Sequence, residues 1–328
     1  MPVEPETKKI GVVLFQLGGP DSLEAVEPFL YNLFCDPDII NFPGAFLARK
    51  FIAKQISTRR VITVAEHYRE IGGKSPIRDL TMDQAASLET ALRKTIDAKV
   101  FVAMRYWNPS TRDAIEAMRK EKFDKLVLLP LYPQYSTATT ASSFKEWKKQ
   151  AELMGYTAPP ATSISSYQDH PLYIEAIKEN LDIAYARFAG IPSDQIDIVF
   201  SAHGIPLSLV KGGDPYPGHI RETVDSIVAT GQWPSPHQLC FQSKVGPLKW
   251  LRPSLTETIA DLAQKGRKNL LIVPVAFVTE HIETLHEINI EARAEAEHLG
   301  ISRYEMMPAL NSHPKFIQCL ESLVLSNC

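Results

Sequence analysis

Cysteine is scarce and scattered: Cys35, Cys240, Cys319 and Cys328 form no CxxC pair in 328 residues. That distribution argues against a disulfide framework and a zinc ribbon, and fits a reducing compartment. Long apolar runs are missing too, so no segment is expected to span a bilayer. The polar opening MPVEPETKKI has none of the apolar stretch of a secretory signal, which points to the cytoplasm. An excess of charge of one sign is nearly absent, since 35 Lys and Arg stand against 38 Asp and Glu. The resulting balance gives no global pull on phosphate backbones and argues against nucleic acid as a partner. No GxGxxG or P-loop lysine pattern follows Gly18-Gly19, so these glycines are expected to permit close backbone approach rather than to cradle a dinucleotide. The order His286-Glu287-Ile288-Asn289-Ile290 lacks the second histidine of HExxH, which rejects a zinc protease.

What is present is enough apolar material to fold. Hydrophobic residues make up 45% and charged residues 22% of the chain, which sets aside disorder, and the length suits about two domains. Short β-branched runs recur at residues 10–15, 100–104, 126–131, 196–200, 239–241 and 270–276. Between them lie stretches with apolar spacing near that of a helix, at 111–122, 172–189 and 254–265. This alternation predicts an α/β chain of two doubly wound, Rossmann-like domains with parallel sheets. The polar stretch 189–195 is the expected divide, with an N-terminal domain over 1–190, a second over 191–310, and a cleft between them.

In such sheets ligands sit beyond the carboxyl ends of the strands, so those ends carry the candidates. They hold Leu17, Arg105 with Tyr106, Tyr132, His203, the run Gln242-Ser243-Lys244, and His281 with Glu283. His203, between an apolar strand and Gly204, suits a neutral base or a soft metal ligand, because apolar surroundings lower an imidazole pKa. Glu283, Glu287 and Glu291 are four residues apart and make one stripe on a helix. A solvated acidic face is one reading; a row that passes protons or draws in a cation is the other. Arg59 and Arg60, with Tyr68 and Ser75, are either a solvated helix end or a clamp for ligand carboxylates. Phe29, Leu33 and Phe34, followed by Ile39, Ile40, Phe42 and 44–47, form a greasy segment beside Arg49 and Lys50. It is either a pair of amphipathic helices on a core or an apolar rim that touches lipid or a flat ligand.

Taken in order, these motifs resemble ferrochelatase: Gln16-Leu17-Gly18-Gly19-Pro20, Ile71-Gly72-Gly73-Lys74-Ser75-Pro76, Met104-Arg105-Tyr106, Leu131-Tyr132-Pro133-Gln134-Tyr135-Ser136, Ser201-Ala202-His203-Gly204, Gln242-Ser243-Lys244-Val245-Gly246-Pro247 with Trp250, and His281-Ile282-Glu283-Thr284-Leu285. The likeness covers nearly the whole chain, and the forms at Arg105 and Tyr132 look like the protoporphyrin branch. It implies insertion of ferrous iron into protoporphyrin IX, with His203 and Glu283 as the catalytic pair and the iron-facing groups. It further implies Glu287, Glu291 and His281 as a proton or metal path. Arg59, Arg60 and Ser75 would meet the propionates, and Leu17, Tyr68, Arg105, Tyr132 and Trp250 would shape the pocket. Phe29 and Leu33 would belong to a membrane-facing lip, giving peripheral contact with the inner membrane. Whether His203 takes protons or iron stays open, as does oligomeric state, a homodimer included.

The resemblance also carries departures. Thr137 stands where some relatives place the first cysteine of a [2Fe-2S] cluster, and the carboxyl-terminal region offers only Cys319 and Cys328, so no cluster is implied. His286 stands where many relatives carry tyrosine, and Glu280 where they often carry aspartate. The last helix, near Phe316 to Val324, is implied to pack back on the first domain. A chelatase for another tetrapyrrole and metal, or a bilobed porphyrin or haem carrier, are the alternatives.

Overall fold

The computed structural model describes residues 8–37, 45–244 and 248–328. Ile39, Ile40, Phe42, Gly44 and the run Val245-Gly246-Pro247 lie outside the described residues, as do the side chains of Ala45, Phe46 and Leu47. The chain divides into two compact units. The first comprises Met1–Tyr132, Thr137–Ser166 and Phe316–Cys328; the second comprises Pro133–Ser136 and Tyr167–Lys315.

In the first unit, β1 (Lys9–Gln16), β2 (Asp97–Met104), β3 (Lys125–Pro130) and β4 (Ala161–Ser163) form one parallel sheet in the order β2-β1-β3-β4. In the second, β5 (Ile196–His203), β6 (His237–Gln242), β7 (Asn269–Pro274) and β8 (Arg303–Met306) repeat that order as β6-β5-β7-β8, again all parallel. The central strands are buried on both faces, which is why they read as continuous apolar runs such as Val12-Val13-Leu14-Phe15 and Leu270-Leu271-Ile272-Val273. In each sheet the chain leaves the first strand for one neighbour and then crosses to the other side. The strand order therefore reverses beside β1 and β3 in one unit and beside β5 and β7 in the other, where ligand sites gather in open α/β sheets.

The helices are α1 (Val26–Phe34), α2 (Ala45–Glu70), α3 (Ile77–Leu92), α4 (Thr111–Met118), α5 (Ser142–Leu153), α6 (Pro171–Tyr185), α7 (Leu207–Lys211), α8 (Tyr216–Gly231), α9 (Leu255–Gln264), α10 (Ala292–His298) and α11 (Pro314–Leu325). Two π-helical segments, Thr137–Ala141 and Glu283–Glu291, precede α5 and α10. In the first unit Val13, Phe15, Phe101, Ile115, Leu128 and Trp147 close one side of the sheet. In the second, Val199, Cys240, Ile259, Ile272, Ile288 and Tyr304 do the same.

The two units share a local device. α4 opens after the cis bond Asn108-Pro109 with Ser110 and Asp113 capping reciprocally; α9 opens after the cis bond Arg252-Pro253 with Ser254 and Glu257 doing likewise. Ser254 Oγ accepts from the Glu257 N–H at 3.1 Å, and the Glu257 carboxylate accepts from the Ser254 N–H at 2.9 Å. Ser254→Ala is expected to cost about 1 kcal/mol, read as a lowered denaturant midpoint with an unchanged slope.

The stretch 189–195, expected to divide the chain, instead joins α6 to β5 inside the second unit. The reason is that α6 packs on α8 and β7: Tyr173 is buried and its hydroxyl donates to the Val275 carbonyl at 3.1 Å. The terminal residues Phe316–Cys328 belong to the first unit, with Phe316, Cys319, Leu320 and Val324 of α11 buried.

The described part of the greasy segment is packed rather than open. Phe29, Leu30 and Phe34 are buried because α1 packs against α2, and the Phe29 ring meets Trp107 edge to face at 6.4 Å. Leu33 is half-buried. Among the described residues of this region, the large exposed apolar side chains lie on α2, at Phe51 and Ile62, 69% and 72% accessible. Among the described residues no helix is long and apolar enough to cross a membrane.

Candidate active site

The chemistry concentrates at the carboxyl end of the second sheet. His203 is the last residue of β5, so its ring projects from the strand end with about a third of the side chain accessible, 34%. Its Nδ1 lies 2.5 Å from the Gly204 carbonyl and donates to it, which leaves the Nε2 lone pair directed outward. That Nε2 is 3.6 Å from Glu283 Oε2. On the other side His281 donates from Nδ1 to the Thr279 carbonyl at 3.0 Å, and its Nε2 is 3.9 Å from Glu283 Oε1. One carboxylate is thus held between two imidazole nitrogens. Phe277 lies between the rings, 6.4 Å from His203 and 4.7 Å from His281, and Trp250 flanks His203 at 6.2 Å.

Gly204 is required by space. A Cβ there would stand 3.0 Å from the Gln242 carbonyl and 3.2 Å from that of Ser243. This close approach brings the end of β6 against the turn after His203.

Burial sets the protonation of the cluster. The apolar surroundings lower the His203 pKa, partly offset by the Glu287 charge. They push His281 down to about 4. The Glu283 carboxyl is pushed up to about 7 by burial. Glu287 also rises to about 7, first through burial and then through the charge of Glu283. At neutral pH both imidazoles are therefore neutral acceptors, while the two acids stand ready to take or give a proton.

The acid row lies on a π-helix rather than an ordinary α-helix, and the Ala292 N–H donates to the Glu287 carbonyl five residues back. The wider turn still keeps residues four apart on one side, so Glu283, Glu287 and Glu291 remain a row. Exposure grades along it, from 16% of the side chain at Glu283 to 51% at Glu291. The row leads from the buried cluster to solvent. Tyr304 fastens the segment by donating to the Ile288 carbonyl at 2.6 Å, with Ile288 itself buried in the core.

The model of the ferrochelatase family matches residues 9–328. The chain belongs to the ferrochelatase family. The ferrochelatase of Geotalea daltonii is 46% identical over 98% of both chains, and that of Geobacter metallireducens 47% over 97% of this chain and 98% of its own. The ferrochelatase of the cyanobacterium Trichodesmium erythraeum is 45% identical over 97% of this chain and 82% of the relative. Among solved structures, SirB from Bacillus subtilis with Fe3+ aligns with a TM-score of 0.54 at 13% identity, over 97% of this chain and 95% of that one. The cobalt complex of the sirohydrochlorin chelatase SirB from Bacillus subtilis subspecies spizizenii aligns with a TM-score of 0.53 at 11% identity, over 97% and 94%. Both share the chelatase fold, two Rossmann-like domains with parallel sheets.

In this member of the ferrochelatase family, the first unit gathers a separate set of strand-end residues. Arg105 is tied by its guanidinium to Asp36 at 2.6 Å and by Nε to Ser142 at 3.0 Å. Tyr106 donates to the same Asp36 carboxylate at 2.6 Å. Asp36 is fully buried, so Arg105 serves chiefly as its counter-ion instead of standing free for a ligand. Tyr132 is half-buried beside this cluster, its hydroxyl pKa raised by burial. Leu17 sits opposite, its carbonyl accepting from the Tyr106 N–H at 3.0 Å.

The supposed propionate clamp is less compact than expected. Arg59 and Arg60 are exposed on α2, and Arg60 lies over the Phe34 ring at 5.7 Å. Ser75 is buried behind Gly19, where an added Cβ would stand 2.6 Å from its Oγ; Ser75 is thus a packing residue. Tyr68 is buried as well. Phe277 and Asp36 escaped the sequence reading. Phe277 was signalled only by following a buried strand, and Asp36 only by being an acid inside an apolar stretch.

Proposed function

We propose that the second unit carries out the proton and metal chemistry of ferrochelatase, with His203 Nε2 accepting the pyrrole protons and Glu283 receiving them. The reaction is insertion of ferrous iron into protoporphyrin IX: two N–H protons leave the macrocycle as one divalent cation enters, giving protohaem. The carrying observation is the Glu283 carboxylate held 3.6 Å and 3.9 Å from the Nε2 nitrogens of His203 and the buried His281. Nδ1 of His203 is already committed to Gly204, so a proton arriving at Nε2 has the Glu283 carboxylate beside it, and from there the acid row to solvent. Glu287 and Glu291 carry protons out along that row, or iron in. Binding energy from the flat apolar disc is available to bend the ring and expose a nitrogen lone pair. Phe277 and Trp250 supply aromatic surface beside His203 for that purpose.

The deciding experiment is anaerobic mixing with ferrous iron and detergent-dispersed protoporphyrin IX, followed by visible spectra. Conversion of many equivalents to the metalated bands is expected. A carrier would stop at one equivalent, a chelatase for another tetrapyrrole would prefer a carboxylate-rich macrocycle, and no rate above the uncatalysed one would sink the assignment.

The reading includes no resident cluster. Cys240 is buried in the second core with its thiol pushed up to about 12 by burial, and Cys319 is buried in α11. A [2Fe-2S] centre needs four gathered thiolates. Purified protein is therefore expected to lack stoichiometric acid-labile sulfide, measured chemically alongside iron. The reading also places the protein in the cytoplasm, with peripheral contact to the inner membrane through the outer face of α2. Phe51 and Ile62 are eleven residues apart, three helical turns, and so share that face with exposed Arg59.

A further inference from the structure

Two consecutive residues, Gln242 and Ser243, each reach one of the two inner carboxylates. Gln242 ends β6 with a buried side chain, and its Oε1 accepts from Ser201 Oγ at 3.1 Å. This turns Nε2 toward Glu283 Oε2, 3.5 Å away. Ser243 Oγ donates to Glu287 Oε2 at 2.5 Å. Successive side chains of an extended strand point to opposite faces, so neighbours on a strand would not serve neighbouring carboxylates. Ser243 has φ +58°, in the left-handed region that serine seldom adopts. The bend breaks the alternation and brings its hydroxyl to the same acid row as the Gln242 amide. The turn is closed by the Gly204 N–H, which donates to the Gln242 carbonyl at 2.7 Å, so it is fastened directly behind His203. Glycine or asparagine would take this backbone conformation with less strain, and a strained residue kept at a site points to what its side chain does there.

We propose that Ser243 is a positioning residue for metal insertion: its left-handed backbone and its hydroxyl hold the Glu287 carboxylate in line behind Glu283. The proposal rests on the acid row being the proton or metal path of the reaction above. Gln242 fixes the inner acid and Ser243 the next, so the separation of the two carboxylates is set by one turn of backbone rather than by the helix alone.

Ser243→Gly removes the hydroxyl and suits the positive φ; Ser243→Asn suits the φ and keeps a donor. The glycine variant is expected to melt at or above the wild-type temperature, yet to lose about tenfold in kcat with porphyrin KM unchanged. The asparagine variant should recover most of that loss. In a Glu287→Ala background, Ser243→Gly should cost nothing further, since the acceptor of its hydroxyl is already gone. A glycine variant within about twofold of wild-type kcat, or losses that multiply in the double variant, would overturn the proposal. Absence of turnover in the unsubstituted protein, measured in parallel, would overturn the metalation reading and this proposal with it.

Discussion

His203→Ala is expected to slow porphyrin metalation by about a hundredfold or more, the usual scale for a positioned base. The fold should survive, because the ring stands at a strand end with 34% of its side chain accessible and fills no core position. Its Nδ1 hydrogen bond to the Gly204 carbonyl orients the ring and ties it to no other element. Porphyrin affinity should change little, since Phe277 and Trp250 keep their aromatic surface. Added imidazole should restore part of the rate in the alanine variant, because a small base can occupy the vacated volume beside Glu283. Near-normal turnover in the variant would make His203 a structural residue. The loss of rate belongs to kcat, and a rise confined to porphyrin KM would instead make the histidine a wall of the pocket.

The parts of this protein that were legible in its sequence are those where burial dictates residue type. Central strands buried on both faces must be apolar throughout, and the six apolar runs are all strands: the four central ones, β1, β3, β5 and β7, and the edge strands β2 and β6. Of the four edge strands, β2 and β6 keep an apolar run in their buried carboxyl halves, whereas β4 and β8 leave no such mark: β4 is three residues long with both ends exposed, and in β8 buried positions alternate with half-buried ones. The acid row was visible as a spacing of four, but an i+4 spacing fits an α-helix and a π-helix alike, so the wider turn had no signature. Side-chain commitments are least legible of all. The sequence places Arg105 and Ser75 at strand and helix ends but does not show that Arg105 lies on buried Asp36 or that Ser75 packs against Gly19. Phe29 and Phe34 read equally well as lip and as core, because an amphipathic helix does not say what covers its apolar face; here α2 does. The domain divide failed for a related reason. A polar, Pro-containing stretch marks a loop, and this loop joins two elements of one unit.

Neutralising the acid row should give graded losses with an opposite effect on stability at the inner position. Glu283→Gln is expected to lose most of kcat, since its carboxylate alone adjoins both imidazoles. Glu287→Gln should show an intermediate loss, and Glu291→Gln, with half of its side chain in water, a mild one visible mainly at low iron. The stability effect follows from burial. Glu283 holds its proton up to about pH 7 when folded, against 4.5 for the ordinary carboxyl. A group that binds its proton more tightly folded than unfolded contributes nothing unfavourable below the lower value, and takes stability away as pH climbs through the interval. Above pH 7 that penalty is up to about 3 kcal/mol, at 1.36 kcal/mol per unit. Glutamine carries no charge and escapes it. Glu283→Gln should therefore melt higher than wild type at pH 8, and the difference should vanish near pH 4.5. Because Glu283 raises the pKa of Glu287, removing its charge should also move the pH–rate profile of what activity remains toward lower pH. A solvated acidic face predicts three silent substitutions, each within about 0.5 kcal/mol, and an unmoved profile. Melting curves at the two pH values, with kcat and iron KM for each variant, separate the cases. A Glu283→Gln protein that melts lower at pH 8 would show the carboxylate to be a structural anchor, and equal negligible losses at all three positions would end the relay.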